Sequence, residues 1–253
     1  MRCCRKNFPL RSKFAPERGV LAVNKVRNSM TIKAVLFDHD GTIVDSEQAH
    51  FEMWRDVLQK YDVELNHEEY TSQYAGIPTT TNAATIIENH SLSVKSSELV
   101  FAKAEATDQY LSNQAFPLMD GALDSVRHFY EQGFKIGIVT GAGKAGVDVT
   151  LENHGFHEYV TVVVTGDDVT NSKPAPDCYL LAAEKLGFSP SECLAIEDTY
   201  NGSVAAISAN IKCIGVSTSN RVRSLFTGTI YECSNLEIAT RWISESLLVQ
   251  KNS

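Results

Sequence analysis

Six polar side chains fall at or just beyond the ends of short apolar runs in this chain of 253 residues. Asp38 and Asp40 follow Lys33-Ala-Val-Leu-Phe37, and Thr140 closes Phe134-Lys-Ile-Gly-Ile-Val139. Lys173 lies in the loop after Thr161-Val-Val-Val-Thr165, and Glu197 and Asp198 close Cys193-Leu-Ala-Ile196. For one isolated Asp, a loop residue or helix cap is the ordinary reading. For all six on one rim that reading is poor, and their charges point to a chemistry. Carboxylates gathered together repel unless a cation neutralises them, and hard oxygen ligands select Mg²⁺. A carboxylate can attack phosphorus to form an acyl phosphate. A second carboxylate two residues on can protonate the leaving oxygen and later deprotonate a water. The Lys173 ammonium and the Thr140 hydroxyl can offset charge on phosphoryl oxygens. Gly41 lets the backbone turn sharply and bring amides near an anion.

Short apolar runs bounded by acids and glycine read as buried strands. Helical segments near 121–132, 144–154, 176–186 and 201–209 separate them, and Ile211–Val216 makes a fifth strand. This alternation predicts an α/β fold: a Rossmann-like parallel sheet with helices on both faces. Ligands of such sheets bind outside the carboxyl ends of the strands, where the six residues lie. Between the first two strands the pattern is helical only, near 46–60, 67–75, 79–90 and 95–114. Phe51, Trp54, Val57, Leu58 and Tyr61 recur at helical spacing there, with Ser46 as the expected cap. The expected division is a catalytic core of 30–45 and 118–253 and an inserted alpha-helical cap of 46–117.

Composition narrows the partners. The chain is 43% apolar with no run long enough to span a membrane, so a soluble, cytoplasmic protein is expected. Residues 1–29 carry eight Lys/Arg against Glu17 alone, so the formal charge of −8 leaves −15 on the remainder. That surplus argues against nucleic acid as a partner of the folded body. The basic stretch 1–29 lacks sustained periodicity and is expected to be disordered. It reads as sequence upstream of a start at Met30, with an organelle transit peptide or an acid-binding arm as the other readings. Cys178, Cys193, Cys213 and Cys233 show no metal-ligand spacing and read as buried thiols of a reducing compartment.

Asp38-His-Asp-Gly-Thr42, Val139-Thr140, Ser172-Lys-Pro-Ala-Pro-Asp177 and Ile196-Glu-Asp-Thr-Tyr-Asn-Gly202 resemble, in order, the four motifs of the haloacid dehalogenase-like hydrolases. The resemblance runs from about Ile32 to residue 250. The helical insertion is similar to the cap of the subfamily with phosphoglycolate phosphatase and β-phosphoglucomutase. It implies Asp38 as nucleophile and metal ligand, and Asp40 as general acid/base that lends the metal its backbone carbonyl. It implies Thr140, with Gly141 beside it, and Lys173 as phosphate-binding groups. Asp198 and Glu197 match the metal-binding acids, Glu197 directly or through water. The acid at position 40 argues against carbon–halogen chemistry.

The expected activity is therefore a Mg²⁺-dependent phosphatase acting on a small phosphorylated metabolite through an aspartyl-phosphate, as a monomer or weak dimer. A β-phosphoglucomutase-like phosphohexomutase and a non-catalytic binding protein on the same fold are the alternatives. Asp45-Ser-Glu-Gln-Ala-His50 resembles the mutase, in which a His at this place helps regulate the nucleophile's surroundings; an ordinary helix residue at the hinge is the other reading of His50. The loop Gly76-Ile-Pro-Thr79 carries Thr79 where the mutase has an Arg for a second phosphate, and a hydroxyl cannot replace a guanidinium fork. His39 is expected to point away from its neighbours and to pack.

Overall fold

The computed structural model describes residues 32–248; the expectations for 1–29 lie outside the described residues. Six strands, β1 (Ala34–Phe37), β2 (Lys135–Val139), β3 (Val160–Val164), β4 (Cys193–Glu197), β5 (Lys212–Val216) and β6 (Tyr231–Cys233), form one parallel sheet in the order β3-β2-β1-β4-β5-β6. All residues of β1 and β4 are buried, as central strands covered on both faces must be. Because side chains alternate along a strand, β1 feeds two cores. Val35 and Phe37 pack with Phe129, Val147 and Ile243, while Ala34 and Leu36 pack with Tyr179, Ala182 and Ala205.

The sequence reading found five strands. β6 escaped it because this edge strand is three residues long and only Cys233 in it is buried, so no apolar run announces it.

Ten α-helices are described: α1 (Glu47–Gln59), α2 (His67–Gln73), α3 (Thr79–His90), α4 (Ser96–Asn113), α5 (Ala122–Glu131), α6 (Lys144–His154), α7 (Asp177–Leu186), α8 (Tyr200–Ser208), α9 (Asn220–Arg223) and α10 (Leu236–Ile243). Helices α5, α6 and α10 cover one face of the sheet, and α7 and α8 cover the other. Helices α1 to α4 enclose a third core around Trp54, Leu58, Tyr74, Ile86 and Leu99. Burying each such side chain contributes about 1.5–3 kcal/mol. Helix α1 serves both bodies: Trp54 and Leu58 face the helical core, Ala49 and Met53 the main one. The two chain crossings lie side by side, with Asp45 N–H donating to Pro117 O at 2.8 Å and Met119 N–H to Ile43 O at 2.9 Å.

Strand order fixes where a site can be. From β1 the chain winds outward through β2 and β3, then returns to build β4, β5 and β6 on the other side. The crevice at that reversal lies between β1 and β4. Register pairs Phe37 with Ile138 on one side and Ile196 on the other, so Asp38 emerges between the ends of β2 and β4.

Candidate active site

Asp38 leaves β1 with its N–H bonded to Ile196 O at 3.0 Å and its side chain almost wholly buried. Lys173 reaches it from the loop before α7. The ammonium donates to Asp38 Oδ1 at 2.5 Å, Glu197 Oε1 at 2.6 Å and Val139 O at 2.8 Å, which uses all three of its protons. Asp38, Glu197 and Asp198 each offer an oxygen within 4.8 Å of the others. Three carboxylates and one ammonium leave two negative charges, the complement of one divalent cation.

The titration of these groups reports the imbalance. Burial, reinforced by Glu197, pushes Asp38 up to about 7, and burial with Asp38 and Glu197 pushes Asp198 well above the carboxylate range. Burial alone would lower Lys173, but Asp38 and Glu197 outweigh it and keep the ammonium charged. Asp198 Oδ1 is buried without a hydrogen-bond partner, a cost that a bound cation removes. Gly41, at φ +81, lies so close that a Cβ there would fall 2.0 Å from Asp198 Oδ2. Thr42 Oγ1 is also buried without a partner beside this cluster. An all-oxygen donor set, a two-charge deficit and an orphaned carboxylate oxygen fit Mg²⁺.

Asp40 faces the other way, toward the hinge formed by the two chain crossings at Asp45 and Pro117. Ser46 Oγ donates to its Oδ1 at 2.7 Å, Thr140 Oγ1 approaches Oδ2 at 3.4 Å, and His39 Nδ1 lies 3.2 Å from Oδ2. Burial would raise Asp40, but His39, His50 and Ser46 outweigh it and hold the carboxyl well below its usual range. Two expectations are corrected here. Ser46 makes no side-chain cap bond to α1; its hydroxyl is spent on Asp40 instead. His39 is buried and its Nε2 meets Thr150 Oγ1 at 2.9 Å, yet its other nitrogen touches Asp40, so packing is only part of its role. Thr150 Oγ1 lies equally close to Gly146 O, at 2.9 Å, and where it gives its one proton there, His39 Nε2 donates to Thr150.

His50 stands behind Asp40, its Nε2 4.0 Å from Asp40 Oδ1. Its Nδ1 accepts from Lys103 Nζ at 3.1 Å. Burial, then the Lys103 charge, lowers His50 to about 4, so the ring is neutral near pH 7 and Nε2 carries its proton toward Asp40. Lys103, on α4, is buried and, among the described residues, otherwise meets only Met53 Sδ at 3.1 Å and Thr107 Oγ1 at 3.0 Å. Burial lowers it to about 8. The sequence reading missed Lys103, although a signal existed: it sits four residues from Leu99 and eight from Leu111, on the buried stripe of its helix.

Thr140 is buried at the end of β2 and accepts from Ala142 N–H at 3.0 Å, with Gly141 exposed beside it. Thr79 opens α3, half-buried, and no hydrogen bond among the described residues joins it to Asp38, Asp40 or Lys173. Its loop does reach the core: Gly76 N–H donates to Glu47 Oε1 at 3.2 Å, and a Cβ on Gly76 would lie 3.9 Å from the Thr199 methyl. A crevice of about 1160 Å³ touches this rim at Gly41, Thr42 and Asp198 and passes Asp45 and Glu47, but most of it runs away from Asp38, Asp40 and Lys173, past Asp124 and His128 of α5 and Glu237 and Arg241 of α10.

Known proteins resemble this chain in sequence and fold. The family model described as haloacid dehalogenase-like hydrolase matches residues 35–216. The chain is 32% identical to the fructose-1-phosphate phosphatase YqaB of Escherichia coli (strain K12) over 72% of this chain and 95% of that protein. It is 28% identical to the phosphorylated carbohydrates phosphatase of Thermotoga maritima, over 72% and 83%. Among solved structures, CbbY from Rhodobacter sphaeroides in complex with phosphate superposes with a TM-score of 0.71 at 24% identity, covering 81% of this chain and 95% of that one. β-Phosphoglucomutase from Clostridium difficile gives 0.72 at 21% identity, covering 88% and 100%.

Proposed function

The chain belongs to the haloacid dehalogenase-like hydrolases as a phosphoric monoester hydrolase, and from that membership we propose that it is a Mg²⁺-dependent phosphatase of small sugar phosphates that works through an aspartyl-phosphate on Asp38. The observation that carries this reading is the trio of buried Asp38, buried Glu197 and half-buried Asp198, two charges short of neutrality, with Lys173 bonded to the nucleophile's Oδ1.

Lys173 occupies Oδ1 of Asp38, which leaves Oδ2 to attack phosphorus. As that P–O bond forms, the bond to the leaving oxygen breaks and Asp40 supplies its proton. Asp40 is held anionic by Ser46 and His39, so it must turn from Ser46 and gain a proton before it can act as an acid. It later takes a proton from the water that attacks the phosphorus, which frees phosphate and restores Asp38. Lys173 and the Thr140 hydroxyl, with Gly141 at the rim, steady the phosphoryl oxygens. Mg²⁺ held by Asp38, Asp198, Glu197 and the Asp40 carbonyl would neutralise charge on the transferring group.

The helical insertion acts as a cap that closes over the crevice and excludes water until transfer is complete. Of its four Lys and Arg residues, Arg55 is paired with Asp56, Lys103 is bonded to His50, and Lys60 and Lys95 are exposed, at the C-terminal end of α1 and just before α4. With Thr79 rather than an Arg opening α3, this supports hydrolysis over capture of a bisphosphate. The buried thiols of Cys178, Cys193, Cys213 and Cys233, unpaired among the described residues, support a reducing, cytoplasmic location. Among the described residues no helix is long and apolar enough to cross a membrane.

The test is phosphate release from a panel of sugar monophosphates with Mg²⁺ and with EDTA, expected in the first arm only. Release that persists undiminished in EDTA overturns the metal requirement. Rapid conversion of β-glucose 1-phosphate to glucose 6-phosphate, primed by glucose 1,6-bisphosphate with little free phosphate, promotes the mutase instead.

A further inference from the structure

Glu197 is the most enclosed carboxylate of the cluster. It has no exposed surface, and the Gly202 backbone is so close that a Cβ there would fall 1.9 Å from Oε2. Its Oε1 accepts two short hydrogen bonds, from Lys173 Nζ and from the Tyr179 hydroxyl, each at 2.6 Å. Thr199 Oγ1 makes a weaker approach to Oε2 at 3.4 Å. Tyr179 lies six residues after Lys173, in the first turn of α7, with no exposed surface. It also meets Lys173 directly, with Nζ 5.2 Å from the ring centroid. A buried tyrosine ordinarily finds some partner for its hydroxyl. This one has found the carboxylate that also holds Lys173 and stands beside Asp38 and Asp198.

We propose that Tyr179 is a positioning residue of this site: its hydroxyl fixes Glu197, and through Glu197 it fixes Lys173 and the cation site shared with Asp38 and Asp198. The inference rests on the Mg²⁺-dependent reading above. A carboxylate oxygen with two charge-assisted donors has little freedom to move, and such bonds are the short, strong ones. Without the phenol, Lys173 alone holds Oε1, and the ammonium can follow Glu197 away from Asp38. The groups behind metal ligands matter nearly as much as the ligands, because they set ligand orientation. The ring of Tyr179 and its hydroxyl contribute separately, the ring through the Lys173 face contact and the hydroxyl through Glu197.

The experiment titrates Mg²⁺ calorimetrically into EDTA-stripped wild type, Tyr179→Phe and Tyr179→Leu, alongside p-nitrophenyl phosphate kinetics. Tyr179→Phe deletes one oxygen atom and keeps the ring, so the packing survives. It should weaken Mg²⁺ binding about 10-fold and lower kcat about 10-fold, with KM within about 2-fold. Tyr179→Leu, which loses both contacts, should exceed it on both readouts. Ala182→Gly, at a buried position of the same helix, reports what loss of helix stability alone does. A Tyr179→Phe protein with Mg²⁺ affinity and kcat within about 2-fold of wild type overturns the inference, as does Ala182→Gly reproducing both losses. A wild type that binds Mg²⁺ but releases no phosphate sinks the phosphatase reading and leaves the titration to judge Tyr179. A wild type that takes up no Mg²⁺ overturns the inference.

Discussion

Among the described residues two lysines lie almost out of solvent, one at the sheet rim and one at the hinge, and their surroundings move them in opposite directions. Lys173 meets Asp38, Glu197 and a backbone carbonyl, and its charge is held. Lys103 meets a neutral imidazole, a thioether and a hydroxyl, and falls to about 8. Depth is similar, so the partners decide. The rim has more negative charge than its lysine can balance, whereas the hinge lysine lacks a carboxylate within hydrogen-bond reach. The two aspartates of the DxD pair mirror this: Asp38 at the rim is raised, while Asp40 toward the hinge is lowered.

The largest expected effects separate these aspartates. Asp38→Asn removes the proposed nucleophile and should reduce turnover by at least about 10³-fold, as loss of a covalent nucleophile does. Asp40→Asn removes the proposed acid/base and should cost about 10²–10⁴-fold. Their stabilities should diverge in sign. A carboxyl raised in the folded state disfavours folding once the unfolded chain ionises, so in EDTA at pH 7 Asp38→Asn should hold or raise Tm. A carboxyl lowered in the folded state contributes stability above its unfolded value of 3.8, so Asp40→Asn should lower Tm. Equal shifts of the same sign, read by scanning calorimetry, would erase the contrast between rim and hinge.

The next effect is in pH. Asp38, raised to about 7, binds a proton across much of the range from 3.8 to 7 where its unfolded counterpart does not. Mg²⁺ must displace that proton, so its stabilisation of the fold should shrink as pH falls through 7 toward 5. His50 works against this background. Its value, lowered to about 4, contributes stability that grows as pH rises from 4 to 6.5. The quantity to follow is therefore the difference in Tm between Mg²⁺ and EDTA, in which His50 cancels. A difference independent of pH from 5 to 8 would falsify the proton–metal competition.

The rim was legible in the sequence and the hinge was not, for a physical reason. Parallel strands deliver their C-terminal neighbours to one edge, so Asp38, Thr140, Lys173, Glu197 and Asp198 could be placed together from strand ends alone. Where Asp40's carboxylate points could not be read that way, because Ser46 and His50 meet it from the start of α1, and Lys103 reaches His50 only when α4 packs against α1. A serine before a helix looks like a cap, and a lysine among helical apolar residues looks like a surface residue. Tyr179 was hidden by the opposite ambiguity, since a tyrosine on an apolar helix face reads as core. β6 had too little buried surface to be seen.

A smaller effect tests the lysines themselves. Replacing Lys173 removes the cation that three buried acceptors require and should destabilise strongly, in the range of about 3–5 kcal/mol for one member of a buried pair. Lys103→Met removes a cation with only neutral partners and should leave Tm unchanged or higher at pH 7. A lysine lowered from 10.5 to about 8 gains the fold stability as pH rises between those values, because the unfolded chain is still protonated. Any advantage of Lys103→Met over wild type should therefore shrink from pH 8 to pH 10. Lower stability of Lys103→Met at pH 7 would mean that the hinge holds its ammonium as firmly as the rim does.

The smallest expected effect lies at Thr79, where the cap loop approaches the core. Gly76 is held by Glu47 and passes the Thr199 methyl, so a long side chain at the start of α3 has a route toward the crevice. Thr79→Arg adds a guanidinium fork suited to a second phosphate, and a phosphate pair with Arg is charge-assisted and bidentate. It should tighten inhibition by a sugar bisphosphate several-fold while changing kcat on a monophosphate little, since Thr79 makes no described bond to Asp38, Asp40 or Lys173. It should not turn the protein into a mutase. Transfer back to a sugar needs the second hydroxyl held in line with the phosphoryl group on Asp38, and misplacement by about 1 Å costs about 10²-fold. The measurement is the inhibition constant of glucose 1,6-bisphosphate for wild type and variant, with glucose 6-phosphate formation followed in the same tubes. Unchanged inhibition would place Thr79 outside the site. Efficient isomerisation by the single variant would mean that the cap already holds a sugar in the mutase's pose, and that the missing fork alone makes this chain a phosphatase.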